Sequence, residues 1–233
     1  MTHQIAFLAA GLYCMAIFPA AGNAEVKTSM PGHETETIQL PEPAYKGHIS
    51  VEEALLKRRS VRSYKDAPLT IAEASQLLWA AQGITSRGAL RTAPSAGALY
   101  PLELYIAVGN VKDLPEGVYK YRPHDHSLMR VVKGDKRIEL CNAALGQSPV
   151  KSAPAVIVFA AVYERTTLKY GDRGMQYVHI ETGHAAQNVS LQAAALNLGT
   201  VAIGAFYDEQ VRKAINMADR ELPLYIMPVG RLK

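Results

Sequence analysis

Apolar residues recur at helical spacing in two early stretches of the chain. Val51, Ala54 and Leu55 share the buried face of a short helix that Ser50 and Glu53 open as a capping box. Thr70 and Glu73 form a second box, and Ile71, Ala74, Leu77, Leu78 and Ala81 follow at steps of three and four until Gly83 stops the turn, which predicts a core helix. Leu102 to Val108 is a strand-like run. Val118 to Arg122 and Leu128 to Val132 flank Pro123-His124-Asp125-His126 as a hairpin, and Lys136 to Leu145 suggests a helix containing Cys141. Ala155 to Val162 is continuously apolar after Pro154 and reads as a central strand covered on both faces. The longest helix is expected from about Gly174 to Leu198, closed by Gly199. Its residues are small or apolar around most of the girdle, interrupted by Glu181, His184, Gln187 and Asn188, so a second subunit is expected to cover part of it. Val201 to Phe206 follows as a short strand or loop, Asp208 caps a helix through Ile215, and Leu224 to Arg231 forms a last strand.

Composition adds a leader to this picture. Through Ala24 there is no Lys, Arg, Asp or Glu, and Ile5 to Ala21 is nearly all apolar, broken only by Pro19. Small residues at Gly22 and Ala24 offer a cleavage site, so residues 1–24 are expected to be an export signal and the destination the periplasm. An uncleaved anchor is the alternative, since the apolar run approaches the length that spans a bilayer. Residues 25–48, rich in Pro, Thr, Glu and Gly, read as an extended arm that wraps a neighbour or stays mobile. Residues 49–233 are long enough for one domain. The net charge of +4 resides largely in one cluster, which argues against nucleic acid as a partner. With the leader removed only Cys141 remains, so neither an intramolecular disulfide nor a cysteine zinc site is expected, and no stable membrane insertion either.

That cluster is Lys57-Arg58-Arg59-Ser60-Val61-Arg62, four cations in six positions with no acid among them. Guanidinium forks match phosphate oxygens, and Ser60 adds a neutral donor, so the segment either holds a phosphorylated ligand or is a solvated basic helix end. Pro94 to Pro101 is a loop of mostly small residues that lets a backbone approach a planar ring. His124-x-His126 is either a metal half-site or a solvated turn. Ser95 lacks the glycine setting of a hydrolase nucleophile, and there is no P-loop.

Taken together, Arg-Arg-Ser-Val-Arg-Ser-Tyr, Pro-Ser-Ala-Gly-Ala-Leu-Tyr-Pro-Leu-Glu, Gly-His-Ala-Ala-Gln-Asn and Pro-Val-Gly-Arg resemble the nitroreductase family of FMN-dependent oxidoreductases, and within it the SagB/ThcOx-type dehydrogenase branch. The likeness runs from about Glu52 to Arg231. It implies a three-layer α+β fold, helices on a mostly antiparallel sheet, built as a homodimer with FMN at the interface and a small-molecule substrate. Arg58, Arg59, Ser60 and Arg62 match positions that hold the FMN phosphate and ribityl chain, with Arg231 closing on the same phosphate. Pro94, Ser95 and Ala96 match a loop expected beside the flavin ring from the partner subunit, although Ala98 stands where the commoner pattern has Asn. Ala202, Ile203, Gly204 and Ala205 match the turn whose amides approach flavin N5 and O4. Lys169-Tyr170 resembles the general-base pair of azoline-oxidising relatives, against the plainer reading of an exposed lysine beside a packing tyrosine. A binding protein that keeps the fold without turnover is the alternative function.

Overall fold

The computed structural model describes residues 36–233; the expected leader and the beginning of the expected arm lie outside the described residues. What is described of the arm packs on its own domain. Thr37–Gln39 is an edge strand (β1), Gln76 exchanges hydrogen bonds with the Ala44 backbone at 2.8 and 3.1 Å, and Tyr45 meets Trp79 edge-on.

Helix α1 spans Val51–Lys57, and Ser50 Oγ accepts from Glu53 N at 3.1 Å. The expected box closes only halfway, because Glu53 turns its carboxylate to Lys57 at 2.6 Å. The expected buried face is also corrected: Ala54 is buried, but Val51 and Leu55 are 66% and 52% exposed. A helix this short lies on the body through one small residue and presents its larger apolar side chains outward. After a two-residue strand (β2, Leu69–Thr70), α2 runs Ile71–Gln82 behind a complete Thr70–Glu73 capping box.

Strand β3 is Leu102–Val108, β4 is Val111–Lys112, and β5 (Gly117–Arg122) and β6 (Ser127–Lys133) form the expected hairpin. Short helices α3 (Arg137–Ala143) and α4 (Ser148–Ser152) lead to β7 (Ala155–Ala161), which is buried at every residue. Helix α5 is Glu164–Tyr170 and α6 is Arg173–Ala195. The long helix therefore ends before Leu198. Asn197 takes φ 56° and turns the chain, so that Leu198–Thr200 becomes strand β8, and Gly199 lies within it instead of closing the helix. Helix α7 spans Asp208–Ala214 with Tyr207, not Asp208, at its cap position, and β9 is Leu222–Arg231.

The main sheet has the order β1-β6-β5-β3-β7-β9-β8, antiparallel at every pairing, while β2 and β4 make a separate parallel pair. Side chains alternate across a strand. Leu104, Ile106, Ile157 and Phe159 accordingly enter a core with Leu77, Leu78 and Val189 of α2 and α6, whereas Tyr105, Val156 and Val158 enter another with Leu140, Val150 and Val211 of α3, α4 and α7. Helices on both faces of a mostly antiparallel sheet make the three-layer α+β fold.

Candidate active site

The cationic segment leaves α1 and runs beside β8. Val61 N donates to Thr200 O at 2.9 Å, and Ser60 pairs with Thr200 in a parallel bridge. A Cβ on Gly199 would stand 2.7 Å from Val61, so glycine permits this approach. A cavity of about 200 Å³ opens there, lined by Arg58, Arg59, Ser190, Asn197, Thr200 and Leu232. Arg59 Nη1 donates to the Leu56 and Arg58 carbonyls at 2.9 and 2.8 Å. Arg58 and Arg62 have no carboxylate partner among the described residues, and Ser60 and Arg62 lie exposed just outside the cavity.

Arg231 does not join this group. Its backbone carbonyl accepts from Lys65 N at 3.0 Å, so the chain passes close by, but its guanidinium is held by both oxygens of Glu73, at 2.6 and 2.8 Å, and donates to Pro68 O. Successive residues of an extended chain point to opposite faces. Leu232 is the one that reaches the cavity, which turns Arg231 to α2.

Residues 202–205 continue from the same point. Ile203 is buried and exchanges backbone hydrogen bonds with Ile226 at 2.9 and 3.0 Å, while Ala202, Gly204 and Ala205 are exposed. The Ala205 carbonyl accepts from Gln147 Nε2 at 3.0 Å, and the Gly204 and Ala205 amides donate to no described residue. One continuous track thus runs from unpaired guanidiniums to a pinned turn of small residues with free amides.

The remaining predicted residues form a second group. Within the loop from Pro94 to Pro101, Ala96–Ala98 makes a single 3-10 turn in which Gly97 has φ 63° and Ala98 φ 54°. Left-handed backbone suits Asn far better than Ala, so Ala98 holds a conformation that Asn would adopt with less strain. A Cβ built on Gly97 would lie 2.8 Å from Tyr170 Oη and 3.0 Å from Lys169 Nζ. The loop and the Lys-Tyr pair, distant in sequence, are therefore in contact. Arg165 clamps them, donating to Tyr100 O at 3.0 Å and pairing with Glu103, and Tyr170 meets Tyr177 of α6 edge-on. Lys169 is exposed. Asp172, at the cap position of α6, makes no side-chain cap bond, and Arg173 lies over the Tyr177 ring.

Glu181 went unassigned in the sequence beyond its interruption of a small-residue helix. It is 3% exposed; burial pushes its carboxyl up to about 7, against the opposing pull of Ser95 and Arg91, and Oε1 has no hydrogen-bond partner among the described residues. The signal available was an acid at a position where α6 has to be buried. His184, in contrast, is exposed, and His126 is a brace: Nδ1 bonds Tyr121 Oη at 2.9 Å, and Nε2 bonds Ser75 Oγ at 2.7 Å and Pro41 O at 3.0 Å. Among the described residues no cluster of three or more acids, histidines or cysteines is placed to hold a metal.

Residues 55–231 match the family described as Nitroreductase family. The chain belongs to the nitroreductase family. This nitroreductase-family chain is 50% identical over 198 residues to a Methanocaldococcus jannaschii protein named "Putative nitroreductase MJ1384", covering 85% of this chain and 98% of that one. It is 29% identical over 146 residues to the Escherichia coli "Microcin B17-processing protein McbC", covering 60% of this chain and only 54% of McbC. A solved structure of a "putative nitroreductase" from Anabaena variabilis is similar with TM-score 0.76 and 33% identity, over 85% of this chain and 42% of that one.

Proposed function

We propose that this chain is an FMN-dependent oxidoreductase of the SagB-type dehydrogenase branch, working as a homodimer on a small organic substrate. The observation that carries the reading is the continuous track from the Arg58 cavity through Thr200 to the free amides of Gly204 and Ala205. FMN has matching ends, a phosphate and a flat ring rich in acceptors. Arg58, Arg59, Ser60 and Arg62 would hold the phosphate and ribityl chain through charge-assisted hydrogen bonds. Ala202 to Ala205 would lie along the ring, their small side chains allowing close approach and their amides stabilising charge on it. Arg231 is left out of the set, since Glu73 already claims both arms of its fork.

When bound, FMN supplies two-electron chemistry, accepting a hydride from one small molecule and passing it to another. This chain's own residues orient that molecule and move a proton. Lys169 Nζ, beside Tyr170 Oη at the Gly97 turn, is the group we assign to proton removal from a substrate as hydride leaves it. The 29% identity to McbC, a microcin-processing protein, supports the choice of branch. An exported enzyme would meet little reduced nicotinamide, which favours an organic donor and a quinone or oxygen as acceptor.

The spacing along α6 supports the dimer. The Arg58 cavity is lined by Ser190 of α6, and Tyr170 packs on Tyr177 of the same helix, roughly 20 Å away at 1.5 Å per residue. Ile180, half exposed, and the open surface at Gly183, where a Cβ would touch nothing, lie between them. A second copy laid antiparallel along α6 would bring its Gly97 turn, with Pro94, Ser95 and Ala96, to this chain's cations.

The test is the absorbance spectrum of purified protein, followed by anaerobic addition of donors. We expect a yellow protein that bleaches with a donor and recovers in air, and loss of flavin from the Arg58→Ala, Arg62→Ala double variant. Yellow protein inert to every donor would leave a non-catalytic flavin binder; undiminished flavin in the double variant would remove the phosphate assignment.

A further inference from the structure

A cavity of about 590 Å³ lies beside β3, β5 and β6, against the end of the loop that carries Gly97. That volume suits a small molecule. The charges on its wall divide sharply. Lys120 is held by Glu103 at 3.0 Å and Glu221 at 2.6 Å, Arg165 is paired with Glu103, and Arg122 with Asp125 at 2.7 Å. Arg91 has no ion pair among the described residues. Its Nη1 donates to Gln82 Oε1 at 2.7 Å, and the guanidinium lies over the Tyr100 ring at 4.5 Å. Burial lowers its pKa, with Glu103 and Glu181 opposing from a distance, as expected of a cation short of compensation.

Gln82 is 1% exposed, and its Nε2 has no hydrogen-bond partner among the described residues. A buried donor left unsatisfied is costly, and here a second donor group, also under-compensated, shares the same cavity. Both call for one acceptor with a single negative charge. We propose that this cavity binds a small organic carboxylate, its anionic end on Arg91 and Gln82 and its body against Leu99, Leu104 and Met129. A phosphate dianion fits poorly, because Glu103 lines the same space and the other cations are already paired. The inference rests on and deepens the flavin reading by naming a substrate class: Leu99 and Tyr100 belong to the loop packed on Tyr170, and Arg165 precedes Lys169 by one helical turn on α5.

Calorimetric titration with benzoate, and with neutral benzamide as the matched control, tests it on the full chain. Benzoate is expected to bind at least about tenfold more tightly than benzamide, and Arg91→Met and Gln82→Leu are each expected to erase most of that preference with flavin per chain unchanged. Arg91→Lys, which keeps the charge and loses the fork, guards against a folding defect and should retain part of it. Equal binding of the two probes, or a benzoate preference that survives Arg91→Met in folded protein, overturns the proposal. The same titration on the Arg58→Ala, Arg62→Ala variant separates it from the flavin assignment, which flavin content alone decides.

Discussion

A methyl group at Gly97 probes the contact between the small-residue loop and the Lys169-Tyr170 pair more directly than removal of either side chain. Alanine there has to adopt φ 63°, which costs about 1 kcal/mol, and its Cβ would press to 2.8 Å from Tyr170 Oη. Gly97→Ala is therefore expected to lower turnover by tenfold or more, in order of magnitude, with flavin content intact and a thermal midpoint only a few degrees lower. Unaltered turnover would mean that the pair does not act at this turn. Glu181 allows a test through pH. Burial raises its carboxyl from 4.5 to about 7, so between those values the folded chain keeps a proton that the unfolded chain has released. The sign follows: this group's contribution is fully favourable below about 4.5 and is lost as pH rises through about 7, by roughly 3 kcal/mol across the window. Urea midpoints of wild type and Glu181→Gln should diverge over that range, the variant gaining relative stability as pH rises. Parallel curves would place the titration elsewhere.

Among the elements, the join between α2 and the end of β9 is the clearest case of one side chain serving two structures. Glu73 completes the cap of α2 at Thr70 and holds Arg231 through both oxygens. Glu73→Ala removes a capping partner and strands a part-buried guanidinium, so unfolding free energy should fall by about 1–3 kcal/mol in denaturant titrations. Glu73→Gln should cost less, and flavin content should stay the same in both. A rise in flavin affinity on Glu73→Ala would instead return Arg231 to the phosphate. The capping box of α2 was legible in the sequence because its partners are local, as were the hairpin and the doubly covered β7, whose patterns fix period and burial. The direction of Arg231 was not legible, since it depends on which face of an extended chain the cavity occupies. Nor was the outward face of α1, because apolar spacing reports an amphipathic helix without saying whether its own chain or a neighbour covers it. The end of α6 failed for a related reason: Asn197 tolerates left-handed backbone better than most residues with a Cβ, and Gly199 was present for the close approach of Val61.

At the scale of the whole molecule, the Arg58 cavity at Ser190 and the Tyr170 contact at Tyr177 stand roughly 20 Å apart along α6, a spacing that supports the proposed site shared between two protomers. If each site takes its cations from one protomer and its Gly97 turn with Lys169 from the other, then Arg58→Ala and Lys169→Ala break complementary halves. Each homodimer carries two broken sites. A mixed dimer carries one site with both defects and one with neither, so equal co-expression of the two inactive variants should restore about a quarter of wild-type turnover, half of the dimers being mixed and half of their sites intact. Exposed Ile180 and the open Gly183 lie on the helix that would form the contact. Gly183→Leu should accordingly push the chain towards monomer in light scattering and reduce turnover without unfolding it. Absence of any restored activity in mixed dimers, with both variants folded and dimeric, would show that the halves meet within one chain, and the antiparallel arrangement along α6 would have to be abandoned.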